Sequence, residues 1–506
     1  MASPTAAWII LSIAAGFILP VLSASEEYCI AGTVVNAVTG EPLRRAAVTI
    51  PQSATLTDAA GAFRFCQLAA GSYHMSVEKP GYAPREPIIF IGPSRQDLVL
   101  RVTPLGRIEG KVTDDNGEAL DHVQVQLLTI AVVRGRRIVQ VGSTVSTDDR
   151  GLYRFTDLGA PRYFVKAVGW DSPRDSSSNE AFSPIYYGGA ATIETADPVI
   201  LEPGADLRAD FSLSLHPGYK IQGAIRGLVP SEPAKIELLG EDLEPGGAPA
   251  TVDTVTGAFE VESVPQGSYT LRVTQGEGNA SSRGELPLTV QADVKGAMVT
   301  LLPGMPLTGV VHAAPAADGQ SAAPPNCVIE LAPEAWSTWR FGASTEPDGG
   351  FHIDHLLPGR YRVYMDCANG YVSEAHMGKI DIAASGKFTL PAGTFPQPIE
   401  AVLASDGGTV TVKASDDRES PSGWALLYPS AGNDFYSKIA HIDKGGMSFP
   451  NIAPGDYQIF AWRSLTAFEY SKPEVRQAWA GRAVSVHVDQ NSQQTVSVKI
   501  EAGDEP

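Results

Sequence analysis

Five stretches of the chain repeat one alternation of apolar and polar positions. Each starts at a glycine, carries aromatic or apolar residues at offsets 2 and 4 and an apolar residue at offset 7, and has a tyrosine at offset 12. The copies begin at Gly61, Gly151, Gly257, Gly349 and Gly445, and their tyrosines are Tyr73, Tyr163, Tyr269, Tyr361 and Tyr457. Apolar side chains two apart share one face of a strand, so Phe63 and Phe65 point one way and Arg64 the other. A Gly or Pro turn follows, and the tyrosine opens a second alternating run. Two half-buried strands cannot seal their apolar face alone, so each copy needs further strands around it.

Those strands are legible on both sides. Upstream, an apolar-x-Gly-x-apolar strand precedes a polar turn and a Val/Ile-rich strand, as in residues 30–50, 108–128, 219–239 and 307–331; the fifth copy, residues 408–428, is weaker. Downstream, alternating runs such as DLVLRVTP, VKGAMVTLLP and QTVSVKIEA close each repeat. Helical periodicity is almost absent. The expected fold is all-β: five tandem antiparallel Greek-key sandwiches, transthyretin-like or Ig-like. The boundaries read as 26–104, 105–217, 218–304, 305–405 and 406–506, after a signal peptide at 1–25. Short junctions predict a semi-rigid rod of five sandwiches rather than beads on a flexible string. Longer irregular stretches fall at 171–198, 312–326 and 463–482.

The first repeat carries Gly32, Val34, Gly40, Pro42, Leu43, Ala46 and Val48, then Thr57, Asp58, Gly61, Phe63, Phe65, Leu68, Gly71 and Tyr73. This string resembles the carboxypeptidase regulatory-like domain, a transthyretin-like sandwich. The second repeat matches through Gly110, Val112, Gly117 and Thr147–Gly151, whereas the later three keep mainly the Gly-to-Tyr half. The tail of the last repeat is similar to the ends of bacterial secreted proteins built from such units. The resemblance implies an accessory sandwich without a catalytic centre, similar in fold to carbohydrate-binding sandwiches.

Composition narrows the role. With 38 Lys and Arg against 57 Asp and Glu, the net charge of −19 disfavours a nucleic-acid partner. The apolar run Trp8–Leu22, followed by Ser23, Ala24 and Ser25, suits an export signal rather than a bilayer span, although its flank lacks Lys and Arg. The alternative is a retained anchor. The mature chain is expected to have no transmembrane segment and to lie outside the cytoplasm, in the periplasm, on the outer surface or in the medium. Cys29 and Cys66 fall in the first repeat and Cys327 and Cys367 in the fourth. After export these predict two disulfides within repeats; the alternative is two pairs of buried thiols.

Chemistry-bearing motifs are sparse. No His-Glu-x-x-His, Gly-x-Ser-x-Gly or phosphate loop occurs, and His352 and His355 fall on opposite sides of one strand, so neither a catalytic residue, a metal site nor a cofactor is expected. Asp58 and Asp148, before the repeated glycine, read as Asx-turn acceptors rather than calcium ligands. The tyrosines read as core-edge residues with a backbone-bonded hydroxyl. Loop aromatics supply the candidate ligand platform: Trp170, Tyr186, Tyr187, Trp336 and Trp339, with Phe468, Tyr470 and Trp479 in the last long loop. The expected function is therefore a non-catalytic, exported binding or adhesion protein of a bacterial envelope, with glycans as its ligand. The alternatives are a structural spacer or assembly subunit partnering another envelope protein and, last, an enzyme with a motif-free site between repeats.

Overall fold

A computed structural model describes residues 28–501, apart from 86–87, 92–94, 160–161, 170–179, 231, 241–249, 277–280, 316–322, 335–340, 417–420 and 465–467. The segment 1–25 read as an export signal lies outside the described residues. The chain divides into two compact units, one holding residues 1–106 with 156–159 and 202–205, the other holding 107–155, 160–201 and 206–506. In their described residues both are built of β-sandwiches. Among the described residues, no helix is long and apolar enough to cross a membrane.

Each copy of the motif forms two sheets. In the first repeat an opening strand, Tyr28–Asn36, lies between the motif strand Ala62–Leu68 and the closing strand Arg95–Val102. A second sheet pairs Ser53–Leu56, Ala47–Ile50 and Ser76–Glu78. Phe63, Phe65 and Val34 from one sheet meet Val48, Ile50 and Val77 from the other in a closed apolar core. The same opening, motif and closing order recurs around Tyr219–Arg226, Met305–Ala313 and Gly408–Ser415, each with a core of its own. The closing strand runs parallel to the opening strand in every one of these. Alternation fixes which face a residue takes but not which way a strand runs, so this was not readable from the pattern.

The motif glycine is dictated by backbone geometry. Gly61, Gly151, Gly257, Gly349 and Gly445 have φ between 70° and 84°. A Cβ at Gly349 would lie 2.2 Å from the carbonyl oxygen of Val311, and one at Gly151 2.4 Å from that of Val112. The same glycines accept hydrogen bonds from those opening strands, as Val311 N–H to Gly349 O at 2.9 Å and Val112 N–H to Gly151 O at 2.8 Å. Six residues later each motif strand places a non-glycine in the left-handed region: Gln67, Asp157, Ser263, His355 and Asn451, with φ of 55–64°. Opposite this position the register with the opening strand slips, between Tyr28 and Ile30 in the first repeat and between Met305 and Leu307 in the fourth. The bulge explains why the apolar positions run 2, 4, 7 instead of 2, 4, 6.

A second glycine marks the opening strand in the first four repeats and is absent from the fifth. At Gly32, Gly110 and Gly223 a Cβ would lie 2.1, 1.8 and 1.9 Å from a carbonyl oxygen of the closing strand. There the closing strand shifts register or breaks in two. In the fifth repeat the closing strand Gln493–Lys499 pairs without a shift, and Val412 takes the glycine's place. The fourth repeat keeps Gly309 although its closing strand also pairs without a shift; there a Cβ would meet the Phe351 ring at 2.2 Å.

Gly349→Ala should therefore cost about 3 kcal/mol, from left-handed strain plus the collision with Val311. Gly40→Ala, at φ 74° with nothing within 4 Å of the new Cβ, should cost only about 1 kcal/mol. Hydrogen exchange over 305–313 and 28–36, respectively, measures both.

Candidate functional site

The motif's own polar residues build turns. Thr57 and Thr147 are buried, each bonding two backbone groups. Thr147 Oγ1 donates to Leu120 O at 2.7 Å and accepts from Val123 N–H at 3.0 Å. Asp58 Oδ1 accepts the N–H groups of Ala60 and Ala62, both at 2.9 Å, and Asp148 Oδ1 those of Arg150 and Leu152 at 3.0 and 2.8 Å. The Leu152 and Arg150 contacts hold the Asp148 carboxyl below its ordinary range. Asp114, in the TDDNGE turn, accepts from Asn116 and Glu118 in the same way. These carboxylates serve as Asx acceptors.

The tyrosines behave as core-edge posts. Tyr73, Tyr269, Tyr361 and Tyr457 each donate the hydroxyl proton to the carbonyl four residues upstream, at 3.2, 3.0, 2.7 and 2.8 Å. Burial pushes Tyr269 up to about 12 and raises Tyr361 and Tyr457 as well.

The candidate aromatic platform is described only in part. Trp170, Trp336 and Trp339 lie outside the described residues. Tyr186 is 1% exposed; its ring packs in an apolar cluster with Leu128, Phe164 and Ile193 and lies beneath the Lys166 ammonium at 5.2 Å. That corrects its reading as a ligand contact, because no ring face is left open. Tyr187 is half-buried, edge-on to Phe211. Phe468, Tyr470 and Trp479 are buried too, folded with the short helix Pro473–Trp479 over Trp462 and Phe460 into a second apolar layer. Burying three rings removes far more apolar surface from water than a loop gains by displaying them.

What the residues do assemble is a charged junction inside the second unit. Strands Gln124–Val133 and Arg136–Ser146 form a long hairpin. Its two-residue turn, Arg134-Gly135, has φ of 50° and 71°. The turn reaches the fourth and fifth repeats. Arg134 Nη2 lies 2.8 Å from Asp366 Oδ2 and 3.2 Å from Glu330 Oε2, with its guanidinium 4.7 Å above the Tyr364 ring. Arg136 donates to the carbonyls of Pro333 and Glu334 at 3.3 and 2.9 Å. Ser471 N–H bonds Gly135 O at 3.0 Å, and a Cβ on Gly135 would strike the Tyr470 ring at 2.5 Å. Through this turn the second repeat contacts the fourth and the fifth.

Strand alternation supplies this face. Cys327, Ile329 and Leu331 with Val363, Met365 and Cys367 point into the fourth core, so Glu330, Arg362, Tyr364 and Asp366 point outward. Lys438 of the fifth repeat lies 3.0 Å from Asp366 Oδ1, Arg362 pairs with Asp434, and Lys387 lies 2.9 Å from Glu334 Oε1. Phe435 adds an apolar anchor in the fourth core. Burial works against the charged forms here, but the partners win: Arg134 is raised by Asp366 and Glu330, and Asp366 is lowered by Arg134 and Lys438. The cations offset the acids across the junction. Sequence reading missed it because its partners lie far apart in the chain, 232 residues for Arg134 and Asp366. The signal available was RGRR between two alternating runs in an acidic chain.

The two cysteine pairs are disulfides, Cys29–Cys66 and Cys327–Cys367, with Cα atoms 4.0 Å apart in both. Each closes a loop of 37 or 40 residues, about 4 kcal/mol in the chain-entropy account. Among the described residues, no group of three or more His, Cys, Asp or Glu is placed to hold a metal ion.

Residues 29–103 match the family model of the carboxypeptidase regulatory-like domain, the stretch that carries the full motif in the sequence. A comparison with curated proteins returned no match. Among solved structures, the chain is similar to a Streptococcal ancillary pilin at 13% identity, over 55% of this chain and 99% of that one, with a TM-score of 0.18. It is similar to the shaft pilin SpaA of Lactobacillus rhamnosus GG at 8% identity, over 38% and 97%, with a TM-score of 0.21. The Bacillus anthracis TIE protein is 12% identical over 75% and 68%, with a TM-score of 0.16. Identity and TM-score are low throughout, so what those names say of pili stays with those proteins.

Arg134→Ala should free the hairpin turn at a cost of about 2 kcal/mol, because Asp366 and Glu330 each lose a cation in a partly buried site. Hydrogen exchange at 133–137 reads the release. Asp366 is depressed in the folded state, so its contribution is complete above its unfolded value of about 3.9 and is lost as pH falls through the lower folded value. Exchange at the turn should rise below pH about 4 in the native chain and respond less steeply in Asp366→Asn.

Proposed function

We propose that the chain is an exported, non-catalytic structural or adhesive subunit of a bacterial cell envelope, built from five sandwich domains at 26–104, 105–217, 218–304, 305–405 and 406–506. The observation that carries this reading is the Arg134 hairpin. Its charged side chains are spent on fastening the second repeat to the fourth and fifth, and the motif's carboxylates and hydroxyls are spent on turns. A chain that commits its polar chemistry to holding sandwiches together is suited to bearing or spanning, with a protein of the same compartment as its partner. Two disulfides and the Trp8–Leu22 run support an extracytoplasmic place, where thiols oxidise.

Glycan binding is the second reading, and Trp336 and Trp339, two tryptophans three residues apart beyond Glu334, favour it. Retention of the full chain on insoluble polysaccharides separates the two. Under the structural reading, the native chain and Trp336→Ala/Trp339→Ala pass through alike, and crosslinking in the envelope captures a protein partner. Retention that the double variant abolishes establishes the glycan reading instead, and turnover of an envelope polymer by the purified chain overturns both.

A further inference from the structure

The two disulfides occupy opposite kinds of position. Cys327 and Cys367 point into the fourth core and are 0% and 9% exposed. Cys66 stands at offset 5 of the motif, immediately before the left-handed Gln67. The other repeats place Thr156, Glu262, Asp354 and Pro450 there. It is a surface position in the fold, so Cys66 is exposed and Cys29, across the bulge, is half-buried. Arg64, two residues earlier on the same face, lays its guanidinium across both sulfurs, with Nε 3.3 Å from Cys66 Sγ and Nη2 3.9 Å from Cys29 Sγ.

Disulfide exchange needs an accessible sulfur and a leaving thiolate of low basicity. A cation beside a sulfur lowers the basicity of the thiolate formed there. We propose that the Cys29–Cys66 bridge is a thiol-exchange site of the first repeat, open to an external dithiol and activated by Arg64, whereas Cys327–Cys367 is a permanent structural bond. One thiolate of the dithiol attacks Cys66 Sγ. The Cys66–Cys29 bond breaks, and the Cys29 thiolate leaves beside Nη2 with the electron pair. The dithiol's second thiolate then attacks its own bound sulfur, releasing the Cys66 thiolate to the Nε hydrogen bond. Both protein thiolates take up the two protons that the dithiol gave up. The protein disulfide is reduced by two electrons, and the dithiol leaves as its cyclic disulfide. This inference is independent of the structural reading above.

The test is timed reduction of the full native chain with dithiothreitol, quenched by alkylation and read peptide by peptide by mass spectrometry. Cys29 and Cys66 should be alkylated more than about tenfold faster than Cys327 and Cys367, since burial blocks the in-line approach to the latter. Arg64→Gln should slow the first pair by about three- to fivefold, the effect of roughly one unit of leaving-group basicity, without changing the second, and Arg64→Lys should restore most of the rate. Arg64 is exposed, so its loss leaves the core intact. Equal rates for the two bridges overturn the proposal, as does an Arg64→Gln rate equal to that of the native chain. A rate for Cys29–Cys66 that climbs with urea below the unfolding transition also overturns it, because it places the reaction in an unfolded repeat.

Discussion

Val34, Val112, Ile225, Val311 and Ala414 each turn a carbonyl oxygen towards the glycine that starts the motif strand, at distances no Cβ tolerates. The glycine answers with its own carbonyl, accepting the N–H of the same residue. This pair of contacts fixes the spacing and register of opening and motif strands. Everything downstream inherits it: the bulge at offset 6, the inward turn of the two apolar residues, and the tyrosine whose hydroxyl ties the next turn down. The repeat's conserved shape is thus a backbone constraint first and an apolar core second.

The same logic accounts for variation among the repeats. Where the closing strand bulges, its carbonyl crowds the opening strand and only glycine fits, as at Gly32, Gly110 and Gly223. In the fifth repeat Val412 is accommodated beside an unshifted closing strand, whereas the fourth, also unshifted, keeps Gly309 against the Phe351 ring.

Between repeats of the second unit, polar contacts take over. Alternation that sends Ile329 and Met365 inward necessarily sends Glu330 and Asp366 outward, and an acidic outer face is a ready partner for a hairpin turn bearing Arg134 and Arg136. Apolar pegs reinforce it: Val168 enters the third core and Phe435 the fourth. Each of these charges meets an opposite partner across the junction, which makes it specific in register.

The sequence alone determined the strand content, the two faces of each strand, the Asx and tyrosine turns and the pairing of cysteines within repeats, because each depends on residues a few positions apart or on a two-residue period. Only the tertiary structure decided the direction of the closing strands, the burial of Tyr186, Phe468, Tyr470 and Trp479, the meeting of Arg134 with Asp366, and which of two disulfides faces water. These depend on what a side chain meets across the fold, and an alternating pattern records which face a residue takes without recording what covers that face.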